Sequence, residues 1–293
     1  MLLLWRDGGL TENAEQSFDL TDRGLMLGDG VFDTALVVNG RIHRSSYHQS
    51  RLLAALRALS IPVAPERIAQ AYDTLAEAAA SRKISRASLR LTITRGPGPR
   101  GLGWPATPQP SFIATLAPLA GTVAFTPLTL QVSIIRRNET SPASRIKALS
   151  ALDAVMAHHE AIMAGCDEAL QLDTTGNVAC AATGNLFLIV NGRIVTPATT
   201  QAILPGTIRD LLLGGVSRHG HAIAESIVPW ADVEKAEAVF MTNSLRLLAP
   251  VSRIGDRVFA SATHEIILSL QDFLRGDIEQ ECGAPVTTSG CGL

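Results

Sequence analysis

The stretch Thr21-Asp22-Arg23-Gly24-Leu25-Met26-Leu27-Gly28-Asp29-Gly30-Val31-Phe32-Asp33-Thr34 has a four-residue Gly24 to Gly28 interval, a Gly-Asp-Gly turn and flanking acids. Glycine carries no Cβ, so this pattern implies a backbone packed closely against another part of the chain. Directly after it, Leu36-Val37-Val38-Asn39-Gly40-Arg41-Ile42 reads as two short strands around Asn-Gly. Both turn residues of a type I′ hairpin need positive φ, which makes Asn-Gly a strong hairpin signal. The same five letters recur at Val190-Asn191-Gly192-Arg193-Ile194, between Leu186–Ile189 and Val195–Pro197. One hairpin lies in each half of the chain; too little sequence is shared around them for a duplication.

Helical spacing begins where the strands stop. Leu52, Leu53, Leu56 and Leu59 predict a helix over Tyr47–Leu59, ended by Ser60-Ile61-Pro62. An Ala-rich amphipathic helix follows over Pro65–Ser81. Strands are expected at Leu89–Thr94, Ser111–Leu116, Leu130–Arg136 and Ala238–Met241. Further helices are expected at Leu149–Ala164, Ile208–His219 and from Asp232. Strands and helices mix without strict alternation, so the expected class is α+β or mixed α/β. Pro118–Thr122 reads as a joint. The expected organisation is a domain over 1–118, a linker over 119–122, a second domain over 123–276 and a flexible tail over 277–293.

Composition bounds the function. With 293 residues, 46% hydrophobic and 18% charged, the chain has ample material for a core and is too apolar to be disordered. The 25 basic and 27 acidic residues leave no electrostatic footprint for nucleic acid or an anionic membrane. No apolar run approaches the ~20 residues of a membrane span, and Met1–Arg6 is too short for a signal peptide. A cytoplasmic protein is expected. The four cysteines form no C-x-x-C pair, so neither a disulfide framework nor structural zinc is expected.

Several motifs fail on their context. Gly96-Pro97-Gly98-Pro99-Arg100-Gly101 satisfies G-x-G-x-x-G, but Pro105, Pro108 and Pro110 forbid the helix that would hold a pyrophosphate. A rigid loop between strands is the better reading. His158 and His159 are adjacent, so their rings would point about 100° apart on a helix and cannot share one ion. No metal site is expected.

As a pattern, residues 21–34 resemble the N-terminal signature of the class IV, or fold type IV, pyridoxal-phosphate enzymes. These include D-amino-acid and branched-chain aminotransferases and aminodeoxychorismate lyase. The landmarks that follow keep family order over nearly the whole chain: Tyr47-His48-Gln49-Ser50-Arg51-Leu52, Arg145-Ile146-Lys147, Glu168-Ala169-Leu170, Gly176-Asn177-Val178, Asn185-Leu186-Phe187, Leu204–Arg209 and Phe240–Leu245. The resemblance implies a small N-terminal α/β domain, a larger pseudo-barrel C-terminal domain, a homodimer with the site at the domain junction, and pyridoxal 5'-phosphate as cofactor. It makes Lys147 the Schiff-base lysine and acid/base, and gives the cofactor phosphate to Arg51, Thr207, Ile208 and Ser244. Lys83, Lys147 and Lys235 are the only lysines. The first and last stand in polar, helix-end settings, whereas Lys147 sits between a strand and an apolar helix. Where the family often has Ile-Thr after Gly206, this chain has Thr207-Ile208, so only the backbone donors carry over safely.

One departure concerns the chemistry itself. The family's glutamate on the pyridine nitrogen falls at Cys180, and a thiol is too weak a partner to hold a pyridinium as a carboxylate does. Transamination should be weakened relative to elimination. Among substrate residues, Phe32, Arg100 and Asn243 are candidates. Arg100 resembles the carboxylate-binding loop of the D-amino-acid enzymes, although Leu102 replaces the histidine expected there. Asn243-Ser244 is closer to the lyase group, and the missing aromatic at Ala151 or Leu152 disfavours branched-chain activity. The leading expectation is transfer of an amino group between an amino acid, or amine, and a 2-oxo acid. A lyase releasing pyruvate and a catalytically weak cofactor carrier stay open.

Overall fold

In a computed structural model, residues 2–215, 222–284 and 286 are described. The chain divides into two compact units. Unit one combines Met1–Ala120 with Ile146–Ser150 and Ile278–Pro285; unit two combines Gly121–Arg145, Ala151–Asp277 and Val286–Leu293. The expected division into consecutive segments therefore differs from this one, because two short pieces return to unit one.

Unit one contains β1 (Leu3–Arg6), β2 (Gly9–Thr11), α1 (Arg23–Leu27), β3 (Gly30–Val38), β4 (Arg41–Ile42), α2 (Ser45–Ala58), α3 (Pro65–Ser81), β5 (Arg86–Thr94) and β6 (Phe112–Pro118). The strands form an antiparallel sheet in the order β2-β1-β6-β5-β3-β4. Alternation along β3 and β5 sends Val31, Ala35, Leu89 and Leu91 into one core with Leu52 and Leu56 of α2 and Ile68 and Leu75 of α3.

Unit two contains β7 (Leu128–Val132), α4 (Leu152–Met163), β8 (Glu168–Leu172), β9 (Val178–Ala181), β10 (Asn185–Val190), β11 (Arg193–Pro197), α5 (Thr207–Gly215), β12 (Ile223–Ser226), α6 (Trp230–Lys235), β13 (Ala238–Asn243), β14 (Leu247–Ile254) and β15 (Arg257–Val258). Its nine-stranded sheet runs β12-β11-β10-β13-β14-β7-β8-β9, with β15 beside β14. The final strand β9 comes back against β10 and β11, so the sheet curls on itself. Both Asn-Gly hairpins form as read, with Asn39, Gly40, Asn191 and Gly192 all at positive φ. The fold is the mixed α+β arrangement expected.

Three expectations shift. Helix α4 begins at Leu152 rather than Leu149, because residues 148–150 run extended beside β3. Strand β7 ends at Val132, short of Arg136. The segment read as a tail from 277 is helical through Cys282 as the end of α7 (Glu265–Cys282), anchored by buried Ile267, Leu270, Leu274 and Ile278. The expected helix from Ile208 is α5; its last expected residues, 216–219, lie outside the described residues.

The Gly96–Pro110 loop is built around one arginine. Buried Arg23 donates from its guanidinium to the carbonyls of Gly101, Leu102 and Gly103 at 3.1, 3.2 and 3.0 Å, and from Nε to Asp29 at 2.9 Å. Asp29 also accepts from Arg95 Nε at 2.8 Å, and the Arg95 guanidinium lies 4.3 Å from the Trp104 ring centroid. Burial pushes the Asp29 carboxyl up, but Arg95 and Arg23 outweigh it and hold the group below its usual range. No helix follows Gly101, so the dinucleotide motif has no phosphate-binding terminus. Removing the clamp with Arg23→Ala is expected to speed tryptic cleavage after exposed Arg100 by roughly tenfold, equivalent to about 1.4 kcal/mol of easier opening. An unchanged cleavage rate would show that the loop is held elsewhere.

Candidate active site

In unit one, residues 146–150 lie antiparallel beside the start of β3. Phe32 N–H donates to Lys147 O at 2.9 Å, Leu149 N–H donates to Gly30 O at 3.0 Å, and Val31 bridges Ala148. The close approach explains the glycine spacing. A Cβ on Gly30 would stand 2.5 Å from Ile93 O and 2.8 Å from Leu149 Cδ1, and one on Gly24 would stand 2.2 Å from Thr94 Cγ2.

This seating brings the half-buried Lys147 Nζ to 4.5 Å from the Phe32 ring centroid, the same ring that Arg90 approaches at 3.7 Å. Burial first, then the Arg51 and Arg90 guanidinium groups, push the Lys147 amine down to about 8 against an opposing pull from Asp33. Close to half of such amines are unprotonated at mildly alkaline pH, which is what a nucleophilic lysine requires. Arg51, on α2, grips Asp33 of β3 through Nε at 2.9 Å and Nη2 at 2.8 Å. His48, one turn earlier on the same helix face, meets Asp33 Oδ1 at 2.6 Å through Nδ1. Lys147, Arg51 and Phe32 are thus brought together within unit one, whereas Arg100 stands exposed on the clamped loop.

In unit two, Thr207 and Ile208 are the first residues of α5, where backbone N–H groups lack helical acceptors. The Thr207 and Ser244 hydroxyls lie 3.1 Å apart. Asn185, opening β10, donates to Leu204 O at 2.9 Å, and a Cβ on Gly206 would fall 2.1 Å from its Oδ1. The glycine therefore lets Asn185 pin the turn ahead of α5. Asn243 folds the neighbouring turn, its side-chain oxygen accepting from the amides of Leu245 at 3.0 Å and Arg246 at 2.7 Å. Cys180 is buried on β9 opposite Gln171. Burial raises its thiol, with Arg137 opposing and Glu168 reinforcing, so it stays protonated and neutral.

These groups offer an amine that is in part unprotonated at mildly alkaline pH, with a cation acting on it, in unit one, and a turn with backbone donors for an anion in unit two. Each taken by itself, the amine of unit one has the chemistry to meet an aldehyde and the α5 turn of unit two the donors to meet a phosphate. They do not include a carboxylate at Cys180 for a pyridine nitrogen.

Comparison with known proteins identifies the group. The sequence profile described as Amino-transferase class IV matches residues 30–254. The chain belongs to the class IV aminotransferase family. Members of this family are pyridoxal-phosphate-dependent enzymes. A Methanocaldococcus jannaschii protein, named by inference as a branched-chain-amino-acid aminotransferase, is 28% identical over 258 residues, 87% of this chain and 88% of that one. D-alanine aminotransferase of Bacillus licheniformis is 27% identical over 285 residues, covering 96% and 98% of the two chains. The crystal structure of 4-amino-4-deoxychorismate lyase from Pseudomonas aeruginosa superposes with a TM-score of 0.81 at 28% identity, covering 94% of this chain and 100% of that one.

Among the site's residues, sequence reasoning passed over Asp33, Arg90 and Asn185. Asp33 had a visible signal: an acid on the face of β3 that otherwise carries Val31, Ala35 and Val37 must be paired if buried. Asn185 was named only as part of a landmark, and its role stayed hidden because its partner is the backbone of a turn 19 residues away. Gly206→Ala should cost about 1–3 kcal/mol by overpacking, read by urea denaturation. In an Asn185→Ala background the added cost of Gly206→Ala should shrink, since the clashing oxygen is gone; equal costs in both backgrounds would exclude the contact.

Proposed function

We propose that the chain is a pyridoxal-phosphate-dependent transaminase that moves an amino group between an amino acid and a 2-oxo acid, most like the D-amino-acid enzymes. The observation that carries this reading is the seating of Lys147 beside β3, its amine 4.5 Å from the Phe32 ring centroid and lowered to about 8 by burial and the charge of Arg51. Lys147 would carry the covalent link to the cofactor. Arg51, the Thr207 and Ile208 amides and the Ser244 hydroxyl would hold its phosphate. When bound, the cofactor supplies an electron sink for charge developing at the substrate α-carbon.

The chain's own work is then proton handling and orientation. With its amine balanced between protonation states, Lys147 Nζ can take the α-proton and return it near neutral pH. Phe32 lies against this amine and would border the substrate. Arg100 on its clamped loop is the candidate for the substrate carboxylate, and Asn243 keeps Ser244 in its turn. The exposed Leu25, Met26 and Leu27 of α1 in unit one, and Leu152, Val155 and Met156 of α4 in unit two, are the apolar surfaces a homodimer would cover.

A second reading is an elimination that releases pyruvate, as an aminodeoxychorismate lyase performs. It is favoured by Cys180, because a neutral thiol cannot hold a proton on the cofactor ring nitrogen, and by the 28% identity to the Pseudomonas lyase. Purified protein supplied with the cofactor should absorb in the visible, and borohydride should fix the cofactor on Lys147. A colourless protein that takes up none would overturn both readings. Amino-donor screening with pyruvate or 2-oxoglutarate separates transfer from pyruvate release. Cys180→Glu should raise transfer by on the order of tenfold if residue 180 serves the ring nitrogen; no change, or a loss, counts against that placement.

A further inference from the structure

Asp33 is 1% exposed and stands between Val31 and Ala35 on the core face of β3. A buried carboxylate there costs several kcal/mol of desolvation unless it is paired. Its oxygens are held from α2: His48 Nδ1 at 2.6 Å, Arg51 Nε at 2.9 Å and Arg51 Nη2 at 2.8 Å to each oxygen. Burial lowers His48, with Asp33 pulling the other way and Arg51 and His43 adding to the fall, so the ring is neutral and donates Nδ1–H. Burial raises the Asp33 carboxyl, but His48 and Arg51 outweigh it. The one formal cation in direct contact is therefore Arg51. Tyr72, from α3, is the other titratable neighbour; its buried hydroxyl is raised by burial and by Asp33 and stays neutral.

The same strand seats the lysine. Phe32, one residue before Asp33, holds the Lys147 carbonyl through its amide. Three charged groups act on the amine: Arg51 and Arg90 disfavour its protonated form, and Asp33 alone favours it. We propose that Asp33 is a positioning residue for Lys147. Its two-point grip on Arg51 fixes where that cation stands and offsets its charge, and so governs when the amine is nucleophilic. This deepens the Lys147 reading given above by adding the residue that regulates it.

The test is competitive acetylation of the full chain, freed of cofactor, across a pH series, with modification at Lys83, Lys147 and Lys235 resolved by peptide mass spectrometry. Having just three lysines makes the assignment direct. Wild-type Lys147 should be half-reactive near pH 8. Asp33→Asn leaves the Arg51 charge uncompensated and should move that midpoint down by about one pH unit. Arg51→Gln should move it up, and Asp33→Glu should restore part of the wild-type value. A purely structural Asp33 would lower stability without moving the midpoint of a chain whose circular dichroism is native. An unchanged or raised midpoint in folded Asp33→Asn overturns the proposal. If Asp33→Asn does not fold, an unchanged or lowered midpoint in Arg51→Gln overturns it instead. Because no cofactor is present, this coupling can fail while cofactor uptake at Lys147 succeeds, and the reverse.

Discussion

Lys147 is placed by a backbone seam with almost no room in it. Residues 146–150 return to unit one and lie along the first residues of β3, held by the amide–carbonyl pairs of Phe32 with Lys147 and Leu149 with Gly30. Gly30 is in contact with both Leu149 and the β5 backbone, and Gly28 stands against the Ser150 backbone, its hypothetical Cβ 3.2 Å from the Ser150 nitrogen. Side chains at these positions would push the seam apart and take the lysine with it. The glycines thus act through packing: they set the distance at which residues 146–150, and with them Lys147, lie against the sheet.

Fully buried positive charge among the described residues is carried by arginine. Arg23 and Arg95 are buried and satisfy their donors on peptide carbonyls and on Asp29; Arg209 is buried against the Pro197 carbonyl and Glu225. A guanidinium offers five donors in a plane and can be matched by backbone oxygens, whereas an ammonium is a compact point charge that shifts its proton affinity on burial. Arginine therefore serves as scaffold at loops and turns without becoming reactive. The only lysine among the groups of the candidate site, Lys147, has the opposite property, and its proton affinity falls under burial and the arginines around it. The small net charge of the whole chain conceals this local excess of cations.

Much of this was legible locally. The Asn-Gly hairpins, α3 to its terminal residues, and the anomaly of the glycine-dense segment all follow from backbone rules that act within a few residues. The order of family landmarks pointed to the class IV aminotransferase family, which the match over residues 30–254 shows. What stayed hidden depends on long-range contact. Helix α7 was missed although Ile267, Leu270, Leu274 and Ile278 keep helical spacing, because Gly276 and polar residues break its apolar run. The start of α4 moved because the seam with β3 takes residues 148–150 into an extended path, overriding their helical spacing. Arg23 carried no assigned role in the sequence; its role exists only because residues 101–103 fold back to place three carbonyls around it.

The thiol at Cys180 bears on chemistry by what it withholds. It is buried between strands in unit two, and its burial favours the neutral form; the nearby Arg137 and Glu168 act on it with opposite sign and do not reverse that preference. A carboxylate at such a position would contribute a full negative charge and stabilise a protonated ring nitrogen, whereas a neutral thiol contributes only a weak dipole. If residue 180 serves the ring nitrogen, as proposed, the electron demand of the reaction is met with less help from the ring. This places more weight on the groups that set the proton balance at the lysine, namely Asp33, Arg51 and Arg90. On that reading a change at residue 180 would bear differently on amino transfer and on elimination, because the two reactions share the removal of the α-proton and differ in how long the resulting charge must be held.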